Sequence, residues 1–348
     1  MRVTLVVDPR FPGGTAAAVA AEIGVLAPLV DLEVVAIESR MLQGRTINPR
    51  LRDALETWGI EPRWAPPVAR GDVVVLHNPA CLKFDTDPPL RVSCDTAIVV
   101  THENLLRPGG AEAFDVAHCL ALIDRGRVSG RRLLAPVSPA NRDAAADWLA
   151  SSGSDWELAP FDWFNIVDMP MRPPTKTPRD RRGRHSRPGF EKFPGLEAMR
   201  RHFSPRAERV VLLGADHLVD EEGVPSDWDL RRFGETDVDR FLSEIDFFVY
   251  FTNPLWRESF GRVVAEAIAA GKLVITDPAT ASSFGPAVVA STGDDVDEVV
   301  GRFIADPDAY VAFVLAAQRW LTRFSPERFA ASTLGGIRQL LGGDHASV

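Results

Sequence analysis

The stretch FFVYFTNPLWRESFGRVVAEAIAAGKLVITDP, residues 247–278, decides the fold. Residues 247–251 form an apolar run of strand length, residues 262–270 repeat apolar positions at helical spacing, and residues 273–276 form a second apolar run. A strand apolar on both faces belongs to a sheet covered on both sides, and strands joined through a helix pair in parallel. The stretch therefore reads as a βαβ unit whose strand-to-helix loop carries Glu258.

The same alternation runs outward in both directions. Strands are expected at 208–213, 230–233 and 287–289, with helices at 237–244 and 296–305. The first half repeats the pattern with strands at 3–7, 32–37, 73–76, 97–100 and 132–136 and helices at 15–29, 48–58, 110–125 and 138–149. Asn48 before Pro49 and Ser138 before Pro139 are helix-start signals, because the side-chain oxygen can accept from an unpaired N–H of the first turn. Between 151 and 195 the alternation gives way to Gly, Ser, Pro and Arg, which marks a domain boundary. Two further helices are expected at 309–323 and 326–341, with Ser325-Pro326 as a start and Gly342-Gly343 as a stop.

At 348 residues the chain exceeds what one core of about 250–300 residues accommodates, so two α/β domains are expected. Hydrophobic residues make up 45% and charged residues 25%, an ordinary globular composition that excludes a disordered, collagenous or coiled-coil chain. The formal charge of −9 argues against a protein that coats nucleic acid. Cys81, Cys94 and Cys119 lie far apart with no CxxC pair, so neither a disulfide framework nor a zinc site is indicated. The chain starts MRVTLVVDPRF with no apolar signal region, and no stretch approaches 18 uninterrupted apolar residues. A cytoplasmic location is expected.

Three places carry chemistry. Pro12-Gly13-Gly14-Thr15 follows the first strand and opens a helix, where open α/β sheets bind anions on unpaired backbone N–H groups. The plain alternative is a tight turn, and the stretch is not GxGxxG, so a nicotinamide enzyme is poorly supported. Residues 172–192 hold eight basic side chains (Arg172, Lys176, Arg179, Arg181, Arg182, Arg184, Arg187, Lys192) against Asp180 and Glu191, a local balance of +6. For Arg179 to Arg182 a solvated charge run is the favoured reading, whereas Arg184 and Lys192 suit a diphosphate. Docking of this basic segment on anionic lipid at the inner membrane face is a further expectation. The third place is the pair Glu258 and Glu266, two helical turns apart beyond a strand end, where carboxylates can accept hydrogen bonds from sugar hydroxyls; helix capping and surface charge are the plain alternatives.

The run ESFGRVVAEAIAAGKLVITDP, 258–278, resembles the E-x7-E signature of retaining glycosyltransferases of the GT-B fold, family 4 type. It departs from that pattern at Lys272-Leu273 and in the preceding NPLWR, neither of which touches the two carboxylates. More weakly, Gly13-Gly14 resembles the family's first Gly-rich loop, Thr101-His102 its N-domain histidine, and Ser138 to Asp143 its S-x-x-x-(K/R) segment. Gly183-Arg184 followed by Lys192 resembles its G-R…K-G pair, with spacing three residues longer, so Arg184 ranks first and Arg187 stays eligible.

The resemblance implies two Rossmann-like domains with parallel sheets facing across a cleft. The acceptor domain would cover 1–160 plus a returning helix at 326–341, and the donor domain 165–325. It implies metal-independent transfer, with retention, of a sugar from a nucleoside diphosphate sugar to a hydroxyl of a glycan, lipid or small molecule, the leaving phosphate taking the acceptor proton. Glu258 would contact the donor sugar and Glu266 the ribose. His102 would reach the sugar, Arg184 and Lys192 would grip the diphosphate, and Ser259, Phe260, Gly261 and Arg262 would line it. Phe233-Gly234 would pack on the base, whose identity the sequence does not name. His102 can equally be a packed residue bonded to Glu103, His77 can face the acceptor, and His185 can flank the diphosphate. Trp256 can pack on a sugar face or under its own loop. A GT-B epimerase or phosphorylase, or a non-catalytic sugar-nucleotide binder, are the alternative functions.

Overall fold

The computed structural model describes residues 1–126 and 130–343. The chain divides into two units, Met1–Asp168 together with the segment that starts at Phe324, and Met169–Arg323.

The first unit contributes β1 (Arg2–Val7), β2 (Asp31–Ala36), β3 (Arg63–Trp64), β4 (Val68–Arg70), β5 (Val73–His77), β6 (Arg91–Ser93), β7 (Thr96–Thr101), β8 (Arg131–Pro136) and β9 (Glu157–Leu158). Seven of these form one parallel sheet in the order β3-β2-β1-β5-β7-β8-β9, and β4 pairs with β6 in a small parallel ribbon. The covering helices are α1 (Gly14–Leu26), α2 (Pro49–Thr57), α3 (Val116–Gly126) and α4 (Pro139–Ser152). Every residue of β5 and β7 is buried, as continuous apolar runs in a doubly covered sheet require. Asn48 accepts from the Arg50 N–H and Ser138 from the Asn141 N–H, so both expected caps form. The helix expected from residue 110 begins only at Val116. Gly109 and Gly110 both take positive φ, which suits a turn and breaks helical propagation.

The second unit has β10 (Arg181–His185), β11 (Arg209–Leu213), β12 (Trp228–Arg231), β13 (Phe247–Tyr250), β14 (Leu273–Thr276) and β15 (Val289–Ala290). They form a six-stranded parallel sheet in the order β12-β11-β10-β13-β14-β15. Its helices are α5 (Leu196–His202), α6 (Val238–Ser243), α7 (Arg262–Ala269), α8 (Pro278–Phe284), α9 (Val296–Ala305) and α10 (Pro307–Leu321). One core joins Leu212, Phe247, Val249 and Ile275 to Val296, Val300 and Tyr310 of the helices.

The strand β10 corrects the sequence reading, for it lies inside the stretch read as a boundary and sits in the interior of the sheet. Charged residues rarely enter a buried strand unless paired, and here they are paired. The Arg182 side chain is only 1% exposed because its guanidinium bonds Asp180 and Asp297, each at 2.7 Å. Arg181 meets the buried Asp246 at 2.9 Å. Of the expected solvated run, Arg179 alone is well exposed, and it pairs with Glu208. Gly183 is required for this arrangement, since a Cβ there would lie 2.8 Å from the Val211 carbonyl.

The chain then returns to the first unit with α11 (Pro326–Phe329) and α12 (Gly335–Gly343), separated by a π turn over Ala330–Leu334. The helix expected over 326–341 forms as one continuous helical run that widens into the π turn at Ala330–Leu334. Among the described residues no helix is long and apolar enough to cross a membrane.

Candidate functional site

Ligands of open parallel sheets bind beyond the carboxyl ends of the strands. In the second unit those ends deliver the loop after β10, the loop after β13 and the start of α7. Glu258 stands in the loop after β13, with its side chain 13% exposed. Lys192 Nζ donates to its Oε2 at 2.8 Å and its Oε1 at 3.1 Å, and the Tyr250 hydroxyl donates to Oε2 at 2.7 Å. Burial alone would push the Glu258 carboxyl up. The Lys192 charge and the bonds from Lys192 and Tyr250 more than offset this, holding it below its ordinary value and ionised. Glu258 is a fixed, negatively charged acceptor.

Arg184 lies beneath this pair and corrects the expectation of an open phosphate grip. It is 1% exposed, its guanidinium stacks 4.1 Å from the Phe193 ring centroid and 4.9 Å from that of Tyr250, and it donates to the Phe251 carbonyl at 2.7 Å and to the Lys192 carbonyl. Its donors tie the loop after β10 to the loop after β13, so Arg184 positions Lys192 from below. Arg187, ranked second by spacing, is the exposed cation of this loop and pairs with Glu191 at 2.8 Å.

The helix-start residues follow. Gly261 is the N-cap of α7, with φ of +91°. A Cβ there would stand 3.1 Å from the Phe284 ring, which is why glycine occupies the position. Ser259 and Phe260 are buried, the latter against Phe284 with ring centroids 5.7 Å apart. The Phe260 ring thus packs inward against Phe284. Glu266 is bonded by Arg262 Nε at 3.2 Å and lies 3.4 Å from His185 Nε2. His185 is buried against Phe241 and Phe248, and burial together with the Arg184 charge pushes it down to about 3, so it is neutral. After β12, Phe233 is 60% exposed and Gly234 takes positive φ. Trp256 is half-buried, and its indole Nε1 is withdrawn from solvent without a hydrogen-bond partner among the described residues.

In the first unit, Gly13 is the N-cap of α1 with φ of +73°, and Gly14 opens the helix; both are exposed, and a Cβ at either would meet open space. His102 follows β7 and is half-buried. Its Nε2 is 3.0 Å from His77 Nδ1, so His77, and not Glu103, is its partner. His77 is itself buried, which corrects its placement against an acceptor, and its Nε2 lies 3.2 Å from Glu22 Oε2 of α1. The loop that carries His102 is anchored by Asn141. That side chain accepts from Thr101 Oγ1 at 2.7 Å and from the Val137 N–H, and donates to the Glu103 carbonyl and Asn104 Oδ1.

Sequence reasoning missed Tyr250, Glu22 and Asn141. Each had a signal: a hydroxyl at the end of FFVY, one acid inside AAAVAAEIGVL, and an amide in the first turn of a capped helix.

No protein-family model matches the sequence, and no curated protein matches it. Among solved structures the chain is similar to HepE of Anabaena in complex with UDP and glucose, at 15% identity with 100% of both chains covered and a TM-score of 0.65. It is similar to sucrose-phosphate synthase of Thermosynechococcus elongatus at 13% identity, with 99% of this chain and 100% of that one covered and a TM-score of 0.62. AviGT4, a glycosyltransferase involved in avilamycin A biosynthesis, matches at 18% identity over 99% and 98% of the chains, with a TM-score of 0.56. Two parallel α/β units, a C-terminal segment that rejoins the first of them, and full-length likeness to these enzymes establish that this chain has the GT-B glycosyltransferase fold.

Proposed function

We propose that the protein is a retaining glycosyltransferase that moves a sugar from a nucleoside diphosphate sugar to an acceptor hydroxyl. The observation that carries this reading is the Glu258–Lys192–Tyr250 cluster at the carboxyl ends of the second sheet. A carboxylate held ionised by a lysine and a tyrosine accepts hydrogen bonds from two neighbouring sugar hydroxyls without moving. Lys192 has a third N–H for the diphosphate, and Arg187 supplies an exposed charge beside it. Backbone N–H groups of Phe260, Gly261 and Arg262 at the start of α7 add partial positive charge where the leaving oxygen becomes negative. In this reading Glu266, oriented by Arg262, takes the ribose, and exposed Phe233 at the Gly234 turn stacks on the base. In this reading Gly13 and Gly14 of the first unit serve the donor diphosphate and His102 reaches the donor sugar, the acceptor is taken by the first unit, and departure of the diphosphate needs no metal ligand set.

HepE in complex with UDP-glucose makes that sugar nucleotide the first donor to test. The test is a binding and hydrolysis panel of UDP, GDP, ADP, dTDP and CDP with their common sugars, run on wild type and Glu258→Gln. Binding of one nucleotide, with slow hydrolysis of its sugar by wild type and none by Glu258→Gln, supports the reading. Absence of binding across the panel removes it in favour of a non-catalytic scaffold.

A further inference from the structure

Glu22, His77 and His102 form a continuous polar line inside the first unit, and the transfer chemistry described above uses only its outer end. Glu22 comes from the buried face of α1 and is 1% exposed. His77 is the last residue of β5 and His102 follows β7, the neighbouring strand in the sheet. The two imidazoles are 5.3 Å apart at their centroids and tilted by 37°, with Nδ1 of His77 3.0 Å from Nε2 of His102. On its other side His77 Nε2 approaches Glu22 Oε2 to 3.2 Å without the alignment of a full hydrogen bond. The Trp163 ring stands edge-on to His77, with centroids 6.3 Å apart, and is itself braced by Phe329 of α11.

A buried carboxylate beside a buried imidazole, with no lysine or arginine among the described residues against either, is an expensive way to pack a helix on a sheet. Burial pushes the Glu22 carboxyl up to about 8, while the Trp163 indole acts in the opposite direction. Burial likewise holds His77 and His102 well below the ordinary imidazole range, so neither ring carries a charge at neutral pH. Protons in this line therefore reside as tautomers. The arrangement admits two of them. With Glu22 ionised, His77 keeps its proton on Nε2 toward the carboxylate and accepts at Nδ1 from His102 Nε2–H, which leaves His102 Nδ1 as an acceptor. With Glu22 protonated, its O–H faces His77 Nε2, His77 donates from Nδ1 to His102 Nε2, and His102 Nδ1 carries a proton.

We infer that Glu22, His77 and His102 are one proton relay, in which a proton entering at His102 Nδ1 comes to rest on the Glu22 carboxyl by tautomer exchange of both rings. The balance is simple. One N–H bond forms at His102 Nδ1 as its Nε2–H passes to His77 Nδ1 and the His77 Nε2–H passes to Glu22, so one proton is taken up and no imidazolium persists. His102 is the half-buried outer member of the line, and a hydroxyl that reaches its Nδ1 finds either a hydrogen-bond acceptor or a donor. Naming that hydroxyl as one of a sugar substrate rests on the transferase reading; the relay itself does not. His77 and Glu22 are positioning residues that set the state of His102 from behind.

The groups facing Glu22 are His77 from β5 and the Trp163 indole from the segment after β9, with His102 behind His77; Trp163 does not titrate. The test is a histidine-selective ¹⁵N NMR titration of the full chain without ligand, in which ring-nitrogen shifts report the tautomer. His77→Gln and His102→Gln identify the signals among the seven histidines. The expected result is that His77 and His102 exchange tautomers together with one midpoint between about pH 7 and 9, as coupled sites do, and that Glu22→Gln removes the transition. A fixed tautomer in either ring, two midpoints more than about one pH unit apart, or persistence of the transition in Glu22→Gln overturns it. Should Glu22→Gln fail to fold, the wild-type titration decides alone. Because no donor or acceptor is present, the outcome is independent of whether the protein transfers sugar.

Discussion

Replacing Lys192 with methionine removes the cation from Glu258 while keeping the length of the side chain. Both partners are 13% exposed, and with Nζ gone the carboxylate keeps one neutral donor, the Tyr250 hydroxyl at 2.7 Å. Breaking a buried ion pair from one side costs about 3–5 kcal/mol. The retained tyrosine bond and the residual solvent contact place this case near 3 kcal/mol, the low end of that range. A unit of this size shifts its midpoint by about 2–4 °C per kcal/mol, so thermal unfolding of ligand-free protein should begin roughly 6 to 12 °C lower. The pH dependence separates this cause from a mere packing defect. In wild type the Glu258 carboxyl is held below 4.5, so its contribution is fully present above that pH and is lost as pH falls. In Lys192→Met burial is no longer offset, the carboxyl rises above its ordinary value, and the penalty grows with increasing pH. The deficit should thus be larger at about pH 7.5 than at about pH 5. Scanning calorimetry at the two pH values, with the double variant Lys192→Met/Glu258→Gln, supplies the assay. The double variant should recover more than half of the loss, because no buried charge is left unpaired. A deficit that is equal at both pH values, or a double variant no better than the single one, refutes the reasoning.

Four other perturbations have defined outcomes. Glu258→Gln should abolish donor hydrolysis and transfer while leaving nucleotide affinity within about tenfold, measured by single-turnover kinetics and calorimetric titration. Arg187→Ala, at an exposed i,i+4 pair, should leave the melting curve nearly unchanged and weaken the preferred nucleoside diphosphate about tenfold or more, since it loses one charge-assisted contact. Gly261→Ala, forced to φ of +91° with its Cβ 3.1 Å from Phe284, should destabilise the second unit by about 1–2 kcal/mol and weaken donor binding, as thermal unfolding and titration will read. For Glu22 the sign follows from its raised pKa. Above about pH 4.5 the folded protein keeps a proton that the unfolded chain has released, so the Glu22 contribution to stability should fall by roughly 1.4 kcal/mol per pH unit up to a midpoint of about 8. His77 and His102, held neutral, give the opposite slope only below their ordinary range, and Glu22→Gln should flatten the alkaline limb of the denaturation profile.

Periodicity and composition determined much of this protein. Apolar runs such as LVVD, VVVLH and FFVY are both β-prone and too hydrophobic to face water, so strands alternating with amphipathic helices follow from local preference alone. The capped starts at Asn48 and Ser138 and the glutamate pair in ESFGRVVAEA are likewise local patterns, legible without coordinates. What depended on distant partners was invisible. A strand reading RRGRH looks like solvated linker until Asp180, Asp246 and Asp297 arrive from other parts of the chain to neutralise it. Arg184 looks like a phosphate ligand until the carbonyls of Phe251 and Lys192 and two aromatic faces enclose it. Glu22, His77 and His102 lie far apart in sequence with several strands and a helix between them, and only the order of β1, β5 and β7 in the sheet sets them in one line. Local pattern is written in consecutive residues, whereas pairing, desolvation and protonation are set by neighbours that folding alone brings together.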